Sequence, residues 1–357
     1  LRTVKPTVPS PSTLPPPPAA RPSLHPVRRI GPELHLAAAC RLVSQTGSDV
    51  EHAARRLVSA APEHEIDLSM VWATLDAPPA DALPPKLPRV RQACLAVYGA
   101  GRTVMLFLSE PAPGGDFGDP AQALRERVEV VGAACAALAL DPARARIAQA
   151  LPDPADVWAI DAYAAAGFLK VGDLTYLRRE PSLADRAPRL KPSPDTTPWP
   201  MGVTVTRLDR LPMGTADGLL AQALERTYED TLDCPELCGL RDTADVLDSH
   251  RSTGVFDPAL WWLLHLDGQP HGCCLLNRCP EGRTVELVYL GLSPPARGRG
   301  LGKRLLTNAM TKAREVNPGW SVTCAVDARN APALALYASL GFRPFGGRIA
   351  LVRPLGG

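Results

Sequence analysis

The sequence predicts an α+β fold built twice, and three observations carry that expectation. The first is proline. It supplies 39 of 357 residues, about twice the usual share of roughly 5%. The prolines gather at 6–26 and 181–200, where they read as an extended tail (1–29) and a semi-rigid linker (181–200). Between them lie two bodies of ordinary composition, 30–180 and 201–357, each long enough to bury a core. The second is repetition. Cys274-Leu275, Gly282-Arg283-Thr284-Val285 and Tyr337-Ala338-Ser339-Leu340-Gly341-Phe342 answer Cys94-Leu95, Gly101-Arg102-Thr103-Val104 and Tyr163-Ala164-Ala165-Ala166-Gly167-Phe168. The tails 346–353 and 172–179 correspond as well, and matches in one order at similar spacing indicate duplication. The third is a strand–loop–helix–strand succession in the second body, with hydrophobic period 2 giving way to 3.6.

Each element of that body has its own signal. Residues 216–228 and 243–250 have helical periodicity. Residues 259–266 and 272–277 read as strands joined by the turn Asp267-Gly268, and 284–292, rich in Val, Leu and Tyr, as a third. Pro294-Pro295 breaks the chain before the next helix, where Leu301, Leu305, Leu306, Ala309, Met310 and Ala313 share one face. Residues 320–326 form the next strand. Residues 331–340 form a helix with Asn330 at its N-cap, Pro332 in its first turn and Gly341 at its end. The last strands occupy 343–354.

Composition narrows the function. With 45% apolar and 21% charged residues the chain is neither disordered nor fibrous. A net charge of +2 provides no field for nucleic acid or membrane, and apolar runs stop short of the roughly 20 residues a membrane span needs. Nine irregularly spaced cysteines suit a reducing compartment. The expected setting is cytoplasmic, with neither nucleic acid nor membrane as partner.

The chemistry gathers at Arg297-Gly298-Arg299-Gly300-Leu301-Gly302-Lys303. Glycines there let backbone N–H groups converge at a helix N-terminus, where the dipole favours an anion. Arg297, Arg299, Lys303 and Arg304 add positive charge, so a phosphate or pyrophosphate is the natural guest. A surface turn with solvated charges is the competing reading. P-loop spacing is absent. A dinucleotide fold is a nearer rival, since Asp327 follows a strand about where a ribose-binding acid would stand. Its glycine spacing, however, is Gly-x-Gly-x-x-Gly, and no second βαβ unit follows.

Residues Arg297 to Gly302 match the motif Arg/Gln-x-x-Gly-x-Gly/Ala, and over 201–357 the sequence resembles the GNAT superfamily of acetyltransferases. Strand 286–293 and segment 330–342 flank the motif in the family's order. With its repeat, the whole chain is similar to tandem GNAT proteins, in which the C-terminal copy is active. The resemblance implies that each copy is a mixed, mostly antiparallel sheet flanked by helices. It implies acetyl-CoA as co-substrate and no metal. The pyrophosphate would rest on Arg297, Gly298, Arg299, Gly300, Leu301, Gly302 and Lys303, the pantetheine arm against Asn330, and the reacting carbonyl beside the backbone of Leu290, Gly291 and Leu292. Glu286 would be the general base and Tyr337 the general acid.

The residues themselves bear on these roles. An ammonium is not a nucleophile, so a base must take its proton, and Glu286 stands in an otherwise apolar strand before the turn. Alternation predicts that Glu286, Val288 and Leu290 share a face. An exposed strand carboxylate is the other reading of Glu286. A core aromatic is the other reading of Tyr337, because its counterpart Tyr163 persists without the rest of the site. Capping accounts for Asn330 equally well.

In the first copy Met105 takes the place of Glu286, and Pro113-Gly114-Gly115-Asp116-Phe117-Gly118-Asp119 replaces the cationic turn. Its two acids would repel a pyrophosphate, so this copy is expected to bind no acetyl-CoA and to serve as scaffold or as a wall of the acceptor site. The acidic stretch 227–241 (Glu229, Asp230, Asp233, Glu236) suits a cationic acceptor, or is a solvated loop. Trp261-Trp262 is expected to place one ring in the core and one on the surface. Cys234, Cys238, His271, Cys273, Cys274 and Cys279 lack zinc-site spacing, with Cys273 and Cys274 on opposite strand faces. A small-molecule amine, a peptide amine and a non-catalytic acetyl-CoA sensor remain open.

Overall fold

Each half of the chain runs through the same succession of elements. In a computed structural model describing residues 25–43, 49–76, 87–111, 119–181, 198–212 and 214–356, the first half comprises strand β1 (Val27–Arg29), helices α1 (His35–Leu42) and α2 (Val50–Ala60), and strands β2 (Val71–Asp76), β3 (Arg89–Gly99) and β4 (Thr103–Leu108). Helix α3 (Pro120–Leu138), β5 (Ile147–Ala150), α4 (Val157–Ala165) and β6 (Leu169–Arg179) complete it. The second half repeats this order with β7 (Val203–Arg207), α5 (Ala216–Tyr228), α6 (Thr243–Ser252), β8 (Trp261–Leu266), β9 (Gln269–Cys279) and β10 (Thr284–Leu292). It ends with α7 (Leu301–Val316), β11 (Ser321–Asp327), α8 (Ala331–Ser339) and β12 (Arg343–Pro354). Residues 1–24 of the expected tail, 182–197 of the linker and 113–118 of the acidic glycine turn lie outside the described residues.

The two sheets are fused. Strand order is β1-β2-β3-β4-β5-β12-β6-β11-β10-β9-β8-β7, with β4–β5 and β10–β11 parallel and the other neighbours antiparallel. The last strand of each half therefore sits in the sheet of the other. β12 pairs with β5, β6 pairs with β11, and the two meet along Arg343–Val352 and Leu169–Arg178 at the centre. The expected last strands at 343–354 are one strand. Its Gly346-Gly347 pair lies beside a bulge at Phe345, so the glycines kink the strand without ending it.

Helices cover both faces in each half. In the second half, α7 and α8 pack one core with Leu276, Leu287 and Val322, while α5 and α6 pack the other with Leu263, Cys273 and Leu275. This double cover corrects the expectation for the tryptophan pair. Trp261 and Trp262 point to opposite faces, yet both are buried because neither face is bare. The Trp261 indole N–H donates to Asn277 Oδ1 at 2.7 Å. Cys273 and Cys274 do lie on opposite faces, and all nine cysteines are free thiols.

The repeated Gly-Arg-Thr-Val turns fold alike but contact different surroundings. Arg102 and Arg283 both adopt left-handed φ, 53° and 49°. Arg102 then binds Asp242 and Asp245 beside α6, and Ser249 Oγ donates to the Ala100 carbonyl. A Cβ on Gly101 would lie 1.9 Å from the Asp245 carbonyl oxygen. The first turn is thus a dock between halves, whereas Arg283 is exposed. Among the described residues, no helix is long and apolar enough to cross a membrane.

Candidate active site

The glycine turn folds as its spacing requires. Gly298 and Gly300 adopt φ of 71° and 73°, which side chains with a Cβ resist. No atom lies within 4 Å of a Cβ built on either, so conformation and not space demands glycine. Gly302 differs. A Cβ there would sit 3.4 Å from Leu292 and 3.5 Å from Leu336, which brings α7 close to β10. The unpaired N–H groups of the first turn of α7 thereby face a cavity of about 550 Å³.

The cavity gathers most of the residues expected to hold acetyl-CoA. Leu290, Gly291 and Leu292 form one wall, Arg297, Gly298, Gly300, Leu301, Gly302 and Lys303 one end, and Asn330 and Tyr337 the opposite wall. Arg299 stands outside it, exposed on the turn. Arg297 is mainly a strut: its guanidinium donates to the carbonyls of Leu292, Thr227, Glu229 and Asp230. Arg304 leaves the anion site altogether. It lies 3.9 Å above the Trp199 ring and donates to the Pro198 carbonyl. Asn330 both lines the cavity and caps α8, accepting from Ala333 N–H at 3.2 Å.

Beside the cavity the sheet opens. β10 and β11 pair only from Thr284↔Ser321 to Glu286↔Thr323. Beyond Glu286, β10 keeps its partner β9 but has an unpaired edge toward β11, so alternate N–H and C=O groups from Leu287 to Leu292 face the gap. A bulge at Val288 alters the predicted alternation. Leu287 and Leu290 both turn toward the core under α7 and α8, while Glu286 and Tyr289 turn to the other face. Glu286 and Leu290 therefore do not share a face. Glu286 is not among the residues that line the cavity.

The two expected catalytic groups sit in contrasting surroundings. Burial raises the Glu286 carboxyl above the usual carboxylate range, while a hydrogen bond from Thr323 Oγ1 opposes the shift. Tyr337 is buried against Phe342, with ring centroids 5.5 Å apart. Burial pushes its pKa well up, so it keeps its proton at neutral pH. Among the described residues its hydroxyl has no hydrogen-bond partner, and the residue lines the cavity.

The acidic stretch divides in a way its composition does not reveal. Asp230 and Asp233 line the cavity mouth. Asp233 accepts from Asp327 N–H at 2.9 Å; protein packed around its carboxyl raises it, and the Asp327 charge adds to the shift. Glu236 is neutralised by Arg329 at 2.6 Å. Asp327, the residue that suggested a ribose-binding acid, is fully buried and bound by Arg329 at 2.7 Å and by Cys234 N–H at 3.1 Å. Thr227 and Tyr289, not among the expected site residues, bring their hydroxyls together at 2.6 Å on the cavity wall. Their only signal was membership of a helix end and of a strand already singled out.

The first half holds a matching cleft. β4 and β5 pair from Thr103↔Ile147 to Met105↔Gln149, so Met105 occupies the register of Glu286. A cavity of about 510 Å³ adjoins it. Tyr163 packs on Phe168 at 5.0 Å as Tyr337 does on Phe342, but its hydroxyl donates to the Leu106 carbonyl at 2.9 Å.

Comparison with known proteins places these features. Residues 224–342 match the acetyltransferase (GNAT) family. A mycothiol acetyltransferase of Beutenbergia cavernae is 42% identical over 94 residues, covering 25% of this chain and 30% of the relative. One from Salinispora arenicola is 34% identical over 194 residues, covering 53% and 60%. The matched segments thus span about a third to three fifths of these curated relatives. Among solved structures, a GCN5-related N-acetyltransferase from Sphaerobacter thermophilus shares the fold at TM-score 0.54 and 16% identity, over 95% of this chain and 98% of that one.

Proposed function

Because residues 224–342 match the acetyltransferase (GNAT) family, we propose that the chain is an acetyl-CoA-dependent N-acetyltransferase whose working site is the C-terminal cavity. The reading rests above all on one observation. The sheet opens between an anion-binding turn on one side and a half-buried carboxylate of raised pKa on the other.

Acetyl-CoA supplies the acetyl group as a thioester. The N–H groups of Gly298 to Gly302, with Lys303, bind its pyrophosphate, and Asn330 lies along its arm. Glu286 takes a proton from the acceptor ammonium, directly or through water, and frees the nitrogen lone pair. The nitrogen–carbon bond forms as the carbon–sulfur bond breaks. Backbone N–H groups on the unpaired edge near Leu290 and Gly291 bind the carbonyl oxygen as it gains negative charge. Tyr337 gives its proton to the departing sulfur and regains one from the nitrogen as the amide forms, directly or through water, while the proton on Glu286 passes to solvent. The acceptor is the primary amine of a small molecule, in keeping with relatives named for acetylation of mycothiol. The first copy is a scaffold and binds no acetyl-CoA, since Met105 replaces the base and Tyr163 bonds the strand it packs against.

Release of CoA thiol is the test, measured with amino sugars, polyamines, amino acids and peptides as acceptors and with mass spectrometry of the products. An acetylated small amine formed in step with CoA is expected. Release no faster than hydrolysis with every class overturns the reading, and acetylation of peptides alone replaces its acceptor. Equilibrium titration should find one acetyl-CoA per chain; two would remove the scaffold role of the first copy.

A further inference from the structure

The open face of the sheet beside Glu286 carries a second set of groups, supplied by the exchanged strands. The strand registers put four residues in one transverse row, Glu286↔Thr323, Thr323↔Arg178 and Arg178↔Arg343. Residues directly opposite one another point to the same face. Neighbouring strands lie about 4.8 Å apart, so the Arg178 backbone stands roughly 10 Å from that of Glu286. Tyr176 follows two residues from Arg178 on the same face, close enough for the Glu286 charge to bear on its hydroxyl. The bulge on β12 brings Phe345 beside it at 6.1 Å, with the Arg178 guanidinium 4.7 Å above the Phe345 ring. Phe345 is 53% exposed, a large apolar side chain beside two exposed arginines.

Charge on this face is polarised. At one end stand Glu286 and, at the cavity mouth, Asp233. At the other stand Arg178 and Arg343. The acid nearest Arg178 is Glu180 at 3.9 Å, and Arg343 donates to the Phe342 carbonyl. Arg348, above Tyr176, is bound to Asp153 and adds little.

Building on the acetyltransferase reading, we propose that the acceptor amine also carries an anionic group, a carboxylate or phosphate roughly 10 Å from the nitrogen, held by Arg178 and Arg343 over the Phe345 and Tyr176 rings. An ammonium at the Glu286 end and an anion at the arginine end complement the face in both charge and length. A guanidinium presents several fixed N–H donors to either oxyanion. Arg178 comes from β6 and Arg343 from β12, so the strand exchange gives both halves a part in acceptor choice.

The experiment uses the full chain with 6-aminohexanoate, 6-aminohexyl phosphate and hexylamine, a set that varies the anion at constant amine and spacer. In CoA-release assays at least one anionic acceptor should exceed hexylamine in kcat/KM by about tenfold, and whichever is preferred identifies the group. The Arg178→Gln, Arg343→Gln double variant should bring the ratio to near one. Its acetyl-CoA affinity and melting temperature, read in parallel, establish that it is folded. Arg178→Lys should recover part of the preference. Hexylamine equal to both anionic acceptors overturns the proposal, as does a preference that survives in the double variant. If no amine is acetylated the transferase reading fails, and calorimetric binding of the three probes then decides separately. Tighter, arginine-dependent binding of an anionic probe upholds the platform, and equal binding of all three removes it.

Discussion

The two clefts of this molecule differ in chemistry far more than in shape. Each lies where two parallel strands pair for three residues and then part, and each has a tyrosine from the following helix packed on a phenylalanine. In the first cleft the tyrosine hydroxyl is bonded to the Leu106 carbonyl and the strand position is Met105. In the second the hydroxyl is left to the cavity and the position is Glu286. A bonded hydroxyl works as a clasp between helix and strand, whereas an unbonded one can lend its proton. Under the proposed function, one scaffold supports an inert cleft and a reactive one, and these two side chains mark the difference.

The sharpest way to break this comparison is to remove the carboxylate that only the second cleft has. Glu286→Gln should lower kcat/KM on the order of 10³-fold while acetyl-CoA affinity stays near wild type, checked by CoA release and by titration. The raised Glu286 pKa sets the pH dependence. Wild-type activity should climb as pH rises through it and the base ionises. The variant should lose that limb and keep only the one from the acceptor amine. Stability should move the other way. A carboxyl whose folded pKa lies above its unfolded value binds its proton more tightly when folded, so its ionisation subtracts stability as pH rises across that interval. At pH 7 Glu286→Gln should melt no lower than wild type. A lower melting point would make Glu286 structural. Met105→Glu should import the ionisation cost into the first cleft without activity.

Tyr337→Phe should come next, lowering kcat on the order of 10²-fold with acetyl-CoA affinity unchanged. Since the hydroxyl has no hydrogen-bond partner among the described residues, its removal should cost little stability. Gly300→Ala should have a smaller effect and act on the cofactor alone. A left-handed residue with a Cβ costs about 1–2 kcal/mol, so the turn should flatten and KM for acetyl-CoA rise by about tenfold. An unchanged KM would take the turn out of cofactor binding.

How legible this contrast was depends on the range over which each cue acts. Apart from β7, which no local cue marked, helices and strands of the second half fall within two or three residues of their expected bounds, because period, caps and turns are local properties of the chain. The Met105 correspondence was equally legible, being a matter of counting from a repeated turn. The strand exchange was not. β6 and β12 carry equivalent patterns, and each finds an equivalent neighbour in either half, so nothing along the chain distinguishes the two pairings. The bulge at Val288 is a similar case: one extra residue in β10 turns Glu286 away from Leu290 and leaves composition untouched. Asp233 and Glu236 are interchangeable as charges, and only the fold aims one at the cavity and the other at Arg329.

The mildest substitution discriminates best between the two tyrosines. Tyr163→Phe removes the bond to the Leu106 carbonyl and leaves that buried acceptor short of a partner. A net loss of about 1 kcal/mol in stability is expected, read as a lower denaturant midpoint with unchanged slope. Turnover should be unaffected. Beside Tyr337→Phe, where turnover falls and stability holds, this makes a crossed pattern that packing alone cannot produce. Two tyrosines kept only for their rings would lose neither stability nor activity on substitution by Phe. If Tyr163→Phe instead slowed acetyl transfer as much as Tyr337→Phe does, the first cleft would belong to the working machinery, and the division between a clasp and a proton donor would fail.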